Sequence, residues 1–403
     1  MRSVPLSYFK GVRNPLFSCS IRYFSIAAPM ESKSANRTDK TLFMILGIET
    51  SCDDSAVAIL DMDGTVIANK ISSQSDLHKR YGGVVPELAS RRHLTTLPLL
   101  LRFVFDRYRI DSGDLKAIAV TYAPGLIGSL LVGVNYAKSL AWVYDCPLIP
   151  VDHLEGHLLS PFLDNAELRF PYLGLIASGG HTHLIAAYDF GNYRLLGKTI
   201  DDAAGEAFDK VAKMLGFQYP GGPIVDRISE RFPTPATEFP IPLRGRNTLN
   251  FSFSGLKTAV RNEALKQGVY SVKRKLIGLE QFDELPESEH KRRVGDIVAS
   301  FQRVVCKIFE ERIEKALQKT DFHNFAITGG VAANSGLRRS LQKLAERRGG
   351  RFFCPQPVNC TDNAAMIAYT GLQYYKRGEM EKDADLNLNA SSISPLGRLE
   401  ATV

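Results

Sequence analysis

The 403-residue chain has no apolar run of about 18 residues, the length that a membrane-spanning helix needs. No membrane span is expected. Cysteine is sparse: six residues, Cys19, Cys52, Cys146, Cys306, Cys354 and Cys360, with no C-x-x-C pair among them. That argues against a disulfide-stapled scaffold or a zinc ribbon and fits a reducing compartment. Acidic residues are missing from the first 30 positions, the first being Glu31. In that stretch Arg2, Lys10, Arg13 and Arg22 stand among Ser and aromatic residues. A disordered tail can have this composition, but it is also that of a mitochondrial or plastid transit peptide, and the mitochondrial matrix is the favoured destination. The segment "IRYFSIAA" places a processing site near Phe24–Ser25. Residues 1–40 are therefore set apart from the fold as transit peptide and linker. These basic residues supply +4 of the net charge of +7. The mildly basic remainder is compatible with a nucleic-acid partner without requiring one.

A further absence concerns "VDHLEGHLLSPF", residues 151–162. His153 and His157 stand four apart, on one face of a helix, where two imidazoles can hold one divalent ion. The zinc-hydrolase signature H-E-x-x-H places its general base directly after the first His. Leu154 occupies that slot, and Glu155 points to the other side of the helix. A metal site is compatible with this spacing, as are two packed histidines. A metallo-endopeptidase lacks its base. A third ligand has to come from elsewhere in the chain.

What is present is a repeat. "LFMILGIETSCDDSAVAILDMDGTVIANKI" reads as three strands joined by tight turns. "PYLGLIASGGHTHLIAAYDFGNYRLLGKTI" has the same form. At an offset of 127, Leu46-Gly47 meets Leu173-Gly174, Ser51 meets Ser178, and Ser55 meets Thr182. Each hairpin set is followed by a strand–glycine–helix unit, "KAIAVTYAPGLIGSLLVGVNYAKSLAWV" and "HNFAITGGVAANSGLRRSLQKLAERR". The pattern predicts an internally duplicated α/β protein of two lobes with a cleft between them. That architecture resembles actin, hexokinase and the heat-shock chaperone ATPases. The first lobe is expected over residues 41–152, closed by 362–378, and the second over 153–361. A basic helical insertion at about 244–293 and a polar tail at 379–403 complete the division. The turns "ASGGHTH" and "ITGGVAANS" have the glycines that let a backbone approach an anion closely. The basic insertion reads as a solvated face or as a surface for a nucleic-acid partner.

Ten motifs in order identify a family: "LGIETSCDDSAVAI", "YGGVVPELASRRH", "APGLIGSLLVG", "HLEGHL", "SGGHTHL", "IDDAAGEAFDKVAKMLG", "YPGGP", "FSFSGLKTAV", "TGGVAANSGLR" and "CTDNAAMIAY". Together they resemble the TsaD/Gcp/OSGEP-like family from Leu46 to Tyr369 and, with the transit-like N-terminus, its mitochondrial members. The resemblance implies a tRNA-modifying acyltransferase. Such an enzyme moves a threonylcarbamoyl group from threonylcarbamoyl-AMP to N6 of the adenosine 3′ of the anticodon in ANN-decoding tRNAs. It implies one divalent metal ion, zinc or iron, on His153, His157 and Asp362. Asp362 taken alone would read as a helix N-cap. The resemblance also implies a donor site at Ile176, Ala177, Ser178, Gly179, Gly180, Asp209, Gly222 and Asn334, with Asp226 as a further ribose partner. His181 is either a turn residue or a phosphate neighbour. No general base emerges. The expected partners are tRNA, the adenylate donor and a second copy of the chain. The competing readings are the metallo-endopeptidase and an actin-fold ATPase or kinase.

Overall fold

The computed structural model describes residues 43–79, 81–271, 276–380 and 387–396. The expected transit segment, residues 272–275 of the basic stretch and parts of the C-terminal stretch lie outside them.

Two five-stranded sheets form the frame. The first contains β1 (Met44–Glu49), β2 (Ser55–Asp61), β3 (Val66–Ser72), β4 (Leu115–Ala123) and β5 (Leu148–Asp152) in the order β3-β2-β1-β4-β5. The second contains β6 (Tyr172–Ala177), β7 (Thr182–Asp189), β8 (Asn192–Lys198), β9 (Asn324–Thr328) and β10 (Arg351–Phe353) in the order β8-β7-β6-β9-β10. Written from the first hairpin, the two orders are the same. In each, an antiparallel hairpin set leads into parallel strands. This is the duplicated, two-lobed actin-like topology that the repeat predicts.

The helices are α1 (Ser75–Lys79), α2 (Pro86–Tyr108), α3 (Ile127–Tyr144), α4 (His153–Leu159), α5 (Ala204–Met214) and α6 (Gly221–Arg231). They continue with α7 (Ser254–Lys266), α8 (Leu279–Glu284), α9 (Glu289–Thr320), α10 (Ser335–Arg348), α11 (Pro357–Cys360) and α12 (Ala364–Arg377). No helix among the described residues is long and apolar enough to cross a membrane.

The central strands are buried on both faces, which explains their continuous apolar sequences. Leu46 and Ile48 of β1 pack in one core with residues of α2 and α3. Ile45 points the other way, into a second core built with Ala364, Ala365, Ile367 and Ala368 of α12. The second sheet repeats this. Leu173 and Leu175 meet α5, α7 and α9, while Tyr172 and Ile176 meet Leu154 and Leu158 of α4. Each lobe thus lays one helix on its inner face, α12 on the first and α4 on the second, and these two helices touch. A Cβ on Gly156 of α4 would meet Ile367 Cδ1 of α12 at 2.9 Å.

The glycines matched in the repeat explain the close fit. A Cβ on Gly47 would lie 2.4 Å from Ala364 O, and one on Gly174 would lie 2.2 Å from Leu158 Cδ1. The matched hydroxyls also do similar work. Ser55 Oγ is 2.7 Å from His93 Nδ1 of α2, and Thr182 Oγ1 accepts the Ala204 N–H that opens α5 at 2.9 Å.

The basic stretch at 244–293 is not wholly a solvated face. Leu256, Val260 and Ala264 of α7 and Phe282 of α8 join the core of the second lobe. Part of the polar C-terminal stretch packs back as well. Leu396 is buried, and Ser394 Oγ donates to Asp152 Oδ2.

Candidate active site at the seam between the lobes

The seam is built from the N-terminal ends of α4 and α12. Asp152 caps α4 by accepting from Leu154 N at 2.8 Å and from Glu155 N at 3.4 Å. Asn363 caps α12 by accepting from Met366 N at 3.1 Å. The N-cap role that Asp362 suggests in sequence therefore belongs to its neighbour, and the Asp362 carboxylate turns toward α4.

His153 and His157 are both buried. His157 Nε2 lies 3.1 Å from Asp362 Oδ1, and His153 Nε2 lies 3.5 Å from the same oxygen. One ligand atom from each of the three residues falls within a 4.8 Å group. Two imidazole nitrogens and a carboxylate oxygen converging on one point fit the donor set of zinc or ferrous iron. The surroundings fit as well. Glu49 Oε2 lies 3.0 Å from His153 Nδ1, the carboxylate–histidine pairing that fixes a ligating ring and its tautomer. Thr121 Oγ1 donates to the same carboxylate oxygen, and Ser51 N donates to the other. His157 Nδ1 is buried without a hydrogen-bond partner.

Electrostatics bind this group together. Burial works against the charge on Glu49, but the His153 charge and hydrogen bond hold it below its ordinary value. Burial likewise opposes a charged His153, yet Glu49 and Asp362 push its pKa up to about 9. His157 goes the other way, lowered chiefly by burial. Asp362 is held well below the usual carboxylate range, against burial, by both histidines.

The turn after β6 faces the cluster. Ile176 and Ala177 are fully buried strand residues. Ser178 N donates to His181 O at 2.8 Å, and His181 N donates to Ser178 Oγ at 3.2 Å. Gly179 and Gly180 are exposed, and a Cβ on either would meet nothing within 4 Å. The second glycine turn backs onto the first. Gly329 has φ +91°, and a Cβ there would lie 2.4 Å from Ala177 O. His181 faces the cluster as a neutral ring: burial, reinforced by His183, His153 and His157, lowers its pKa to about 3.

The remaining sequence candidates fall into two groups. Asp209 on α5 accepts from Gly221 N at 2.7 Å and also bonds the Gly222 backbone, so it holds the start of α6. Asp226 and Asn334 meet at the start of α10. Asp226 accepts from Ser335 N at 2.9 Å and Gly336 N at 3.3 Å. Asn334 caps the helix at Leu337 N, 2.8 Å, and donates to Gln302 Oε1 at 2.6 Å.

Three groups escaped the sequence reading. Glu49 is the first, and the signal was there: a carboxylate ending the apolar strand "MILGIE". The second is Asp53 and Asp54 in the turn after β1. The third is Tyr219, whose pKa is raised chiefly by burial, with the charges of Asp53 and Asp209 adding to it. Glu155 lies away from the cluster and accepts from Tyr374 OH at 2.9 Å. A protease base is therefore missing from the slot after His153 in space as well as in sequence.

Comparison with known proteins gives the family. The family model described as "TsaD: tRNA N6-adenosine threonylcarbamoyltransferase" matches residues 65–369. A protein of Trichlorobacter lovleyi called tRNA N6-adenosine threonylcarbamoyltransferase is 43% identical over 356 residues, covering 88% of this chain and 98% of its own. One of the same name from an Anaeromyxobacter species is 46% identical over 344 residues, covering 85% and 97%. Among solved structures, full-length HypF in its phosphate- and nucleotide-bound form superposes with a TM-score of 0.52 at 14% identity. That match covers 86% of this chain and 48% of HypF, and it bears on the fold alone. Family model and relatives cover most of the described chain, seam included, and the protein belongs to the TsaD family of tRNA N6-adenosine threonylcarbamoyltransferases.

Proposed function

We propose that the protein transfers a threonylcarbamoyl group from threonylcarbamoyl-AMP to N6 of the adenosine 3′ of the anticodon in ANN-decoding mitochondrial tRNAs, releasing AMP. The observation that carries this reading is the convergence of His153 and His157 Nε2 on Asp362 Oδ1, beside the exposed Gly179–Gly180 turn. In the transfer, the bond between the carbamoyl carbon and the phosphate oxygen breaks. A bond from that carbon to N6 forms, and N6 loses a proton.

A zinc or ferrous ion held by His153, His157 and Asp362 would supply Lewis acidity toward the oxygens of the donor. The chain's own residues do the positioning. Glu49 keeps the proton of His153 on Nδ1, leaving Nε2 as the ligating atom. The backbone N–H groups at Gly179 and Gly180 can face negative charge developing on the donor. His181, being neutral, adds no repulsion toward a cation beside it. Adenine N6 is a weak nucleophile, so holding it against the carbonyl supplies much of the rate. Asp209 and Gly222 are placed at the ribose side of the donor, with Asp226 and Asn334 supporting the turn behind it.

We also propose a homodimer joined through the first lobe. Support comes from α2 and α3, which leave Leu94, Leu99, Ile127, Leu131, Trp142 and Val143 exposed, the last two at 71% and 70%. The location follows from residues 1–40, and fusing them to a fluorescent protein should send it to mitochondria.

The deciding experiment supplies purified protein with an ANN-decoding mitochondrial tRNA and donor made in situ. Nucleoside mass spectrometry should find threonylcarbamoyladenosine in step with AMP release. AMP release without modified nucleoside would refute transfer to tRNA. Full activity in a strict monomer by analytical ultracentrifugation would remove the dimer.

A further inference from the structure

The helices α4 and α12 cross at the seam, and they are joined on both sides of the crossing. At the crossing Gly156 lies against α12, where an added Cβ would meet Ile367 Cδ1 at 2.9 Å and Met366 Cγ at 3.4 Å. Toward the start of α12 stand His153, His157 and the Asp362 carboxylate. Toward its end, Tyr374 OH donates to Glu155 Oε2 at 2.9 Å. Glu155 follows His153 by about 200° around α4, so the second tie grips the face turned away from the imidazoles.

Both partners of that tie are held. Glu155 is buried, and its Oε1 has no hydrogen-bond partner. Burying a carboxyl group with so few partners costs free energy, so breaking its bond to Tyr374 is unfavourable. Tyr374 is aimed by the second lobe. Its ring meets Phe190, at the end of β7, edge to face, with centroids 4.8 Å apart and planes at 73°. Arg377, nearly one turn further along α12, lies 4.8 Å over the same Phe190 ring. Its Nη2 donates to Asp189 Oδ1 at 3.4 Å.

We propose that Glu155 and Tyr374 are positioning residues for the metal site. Their bond fixes the angle at which α12 crosses α4, and that angle sets the distance from Asp362 to the two histidines. Neither side chain belongs to the donor set. Counted from the crossing at Ile367, Tyr374 lies about 10 Å along the helix axis and Asp362 about 7 Å the other way. A swing of about 1 Å at Tyr374 therefore moves Asp362 by about 0.7 Å. Metal–ligand distances tolerate only about 0.2 Å, so a slack crossing would spoil the site before it unfolded anything. The inference rests on the reading of His153, His157 and Asp362 as a metal site.

The test uses the full-length protein and reads metal rather than activity. Zinc affinity is measured by chelator competition, the geometry of the ligand set by the visible absorption of the cobalt(II) form, and stability by urea midpoint. Tyr374→Phe removes the hydroxyl and keeps the ring against Phe190. Its zinc affinity should fall about tenfold, the lower end of what outer-shell partners cost, and its cobalt band should shift. Glu155→Leu should behave alike, whereas Glu155→Gln, which still accepts from Tyr374, should match wild type in both. If the two residues act through one tie, the Glu155→Leu, Tyr374→Phe double variant binds zinc no more weakly than either single variant. Should Glu155→Leu fail to fold, Tyr374→Phe against Glu155→Gln decides alone. A lower urea midpoint in Tyr374→Phe with unchanged zinc affinity and cobalt band would overturn the proposal, as would losses that add in the double variant. Wild-type protein that bound neither ion would instead remove the metal reading, and the tie's role with it.

Discussion

Glu49 Oε2 and His153 Nδ1 stand 3.0 Å apart across 104 residues of sequence. The first strand of one lobe thereby orients a candidate metal ligand on the helix that enters the other. Glu49→Gln keeps the shape but weakens the acceptor. Metal affinity should fall about tenfold to a hundredfold in a chelator competition. Unchanged affinity would mean that packing alone sets the ring.

Replacing His153, His157 or Asp362 by Ala should remove bound metal and activity while the fold persists. Each substitution takes one of the three donor groups from the candidate metal cluster. Glu155→Gln should retain its metal, because Glu155 bonds Tyr374 instead. Elemental analysis of the four purified variants decides the matter residue by residue.

Asp209→Ala should weaken binding of the adenylate donor about tenfold to a hundredfold, the loss of a hydrogen bond to a charged group at roughly 1.5–3 kcal/mol. It also frees the start of α6, where Gly221 N now donates to Asp209. tRNA affinity should hardly change in this variant, and in both proteins it should drop steeply with salt. Intact donor affinity with abolished tRNA binding would show that the donor lies elsewhere.

The two matched glycines should differ in tolerance. Gly47→Ala drives a methyl group against the backbone oxygen Ala364 O, which cannot move aside without displacing the start of α12. A destabilisation of about 1–3 kcal/mol is expected, with weaker metal binding alongside. Gly174→Ala meets the far end of the Leu158 side chain, which can rotate, and should cost less. Denaturant midpoints for the pair, measured together, test the ranking.

Asp54 gives a pH signature. Its Oδ1 is buried without a partner. Burial, with the Asp53 charge beside it, pushes the carboxyl up to about 8. An unfolded Asp titrates near 3.9. Below about pH 4 the group is protonated in both states. Between the two values the folded state alone keeps the proton, so raising the pH removes stability until about pH 8. Asp54→Asn lacks this loss, and its advantage over wild type in urea midpoint should widen from pH 5 to pH 8. Parallel curves for the two proteins would show that Asp54 is already ionised at pH 5.

Much of this architecture was legible because burial on both faces leaves its mark on sequence. Continuous apolar strands, Gly47 aligned with Gly174 and Ser55 with Thr182 were enough to predict two like lobes. The spacing of His153 and His157 was local and therefore readable. Asp362 was not readable by spacing, since 205 residues separate it from His157. Its motif alone identified it. Glu49 shows the limit most clearly. A buried carboxylate at a strand end announces a partner without naming it, and the partner comes from a different lobe. Asn334 and Asp226 show the converse. Asn334 caps α10 three residues ahead, whereas Asp226 reaches the same helix start from 109 residues away, and neither engagement was announced by the sequence.

The chain passes between its lobes at two places, into α4 after β5 and into α12 after α11, and the three metal-ligating candidates sit at these two crossings. Crossings that lie side by side act as a hinge, and displacement in a hinged rotation grows with distance from the axis. Groups on the axis hardly move. Opening the lobes would swing the outer parts of each lobe through the widest arcs, while His153, His157 and Asp362 kept their spacing. The site that most needs fixed geometry is therefore at the pivot, where the fold can move without disturbing it.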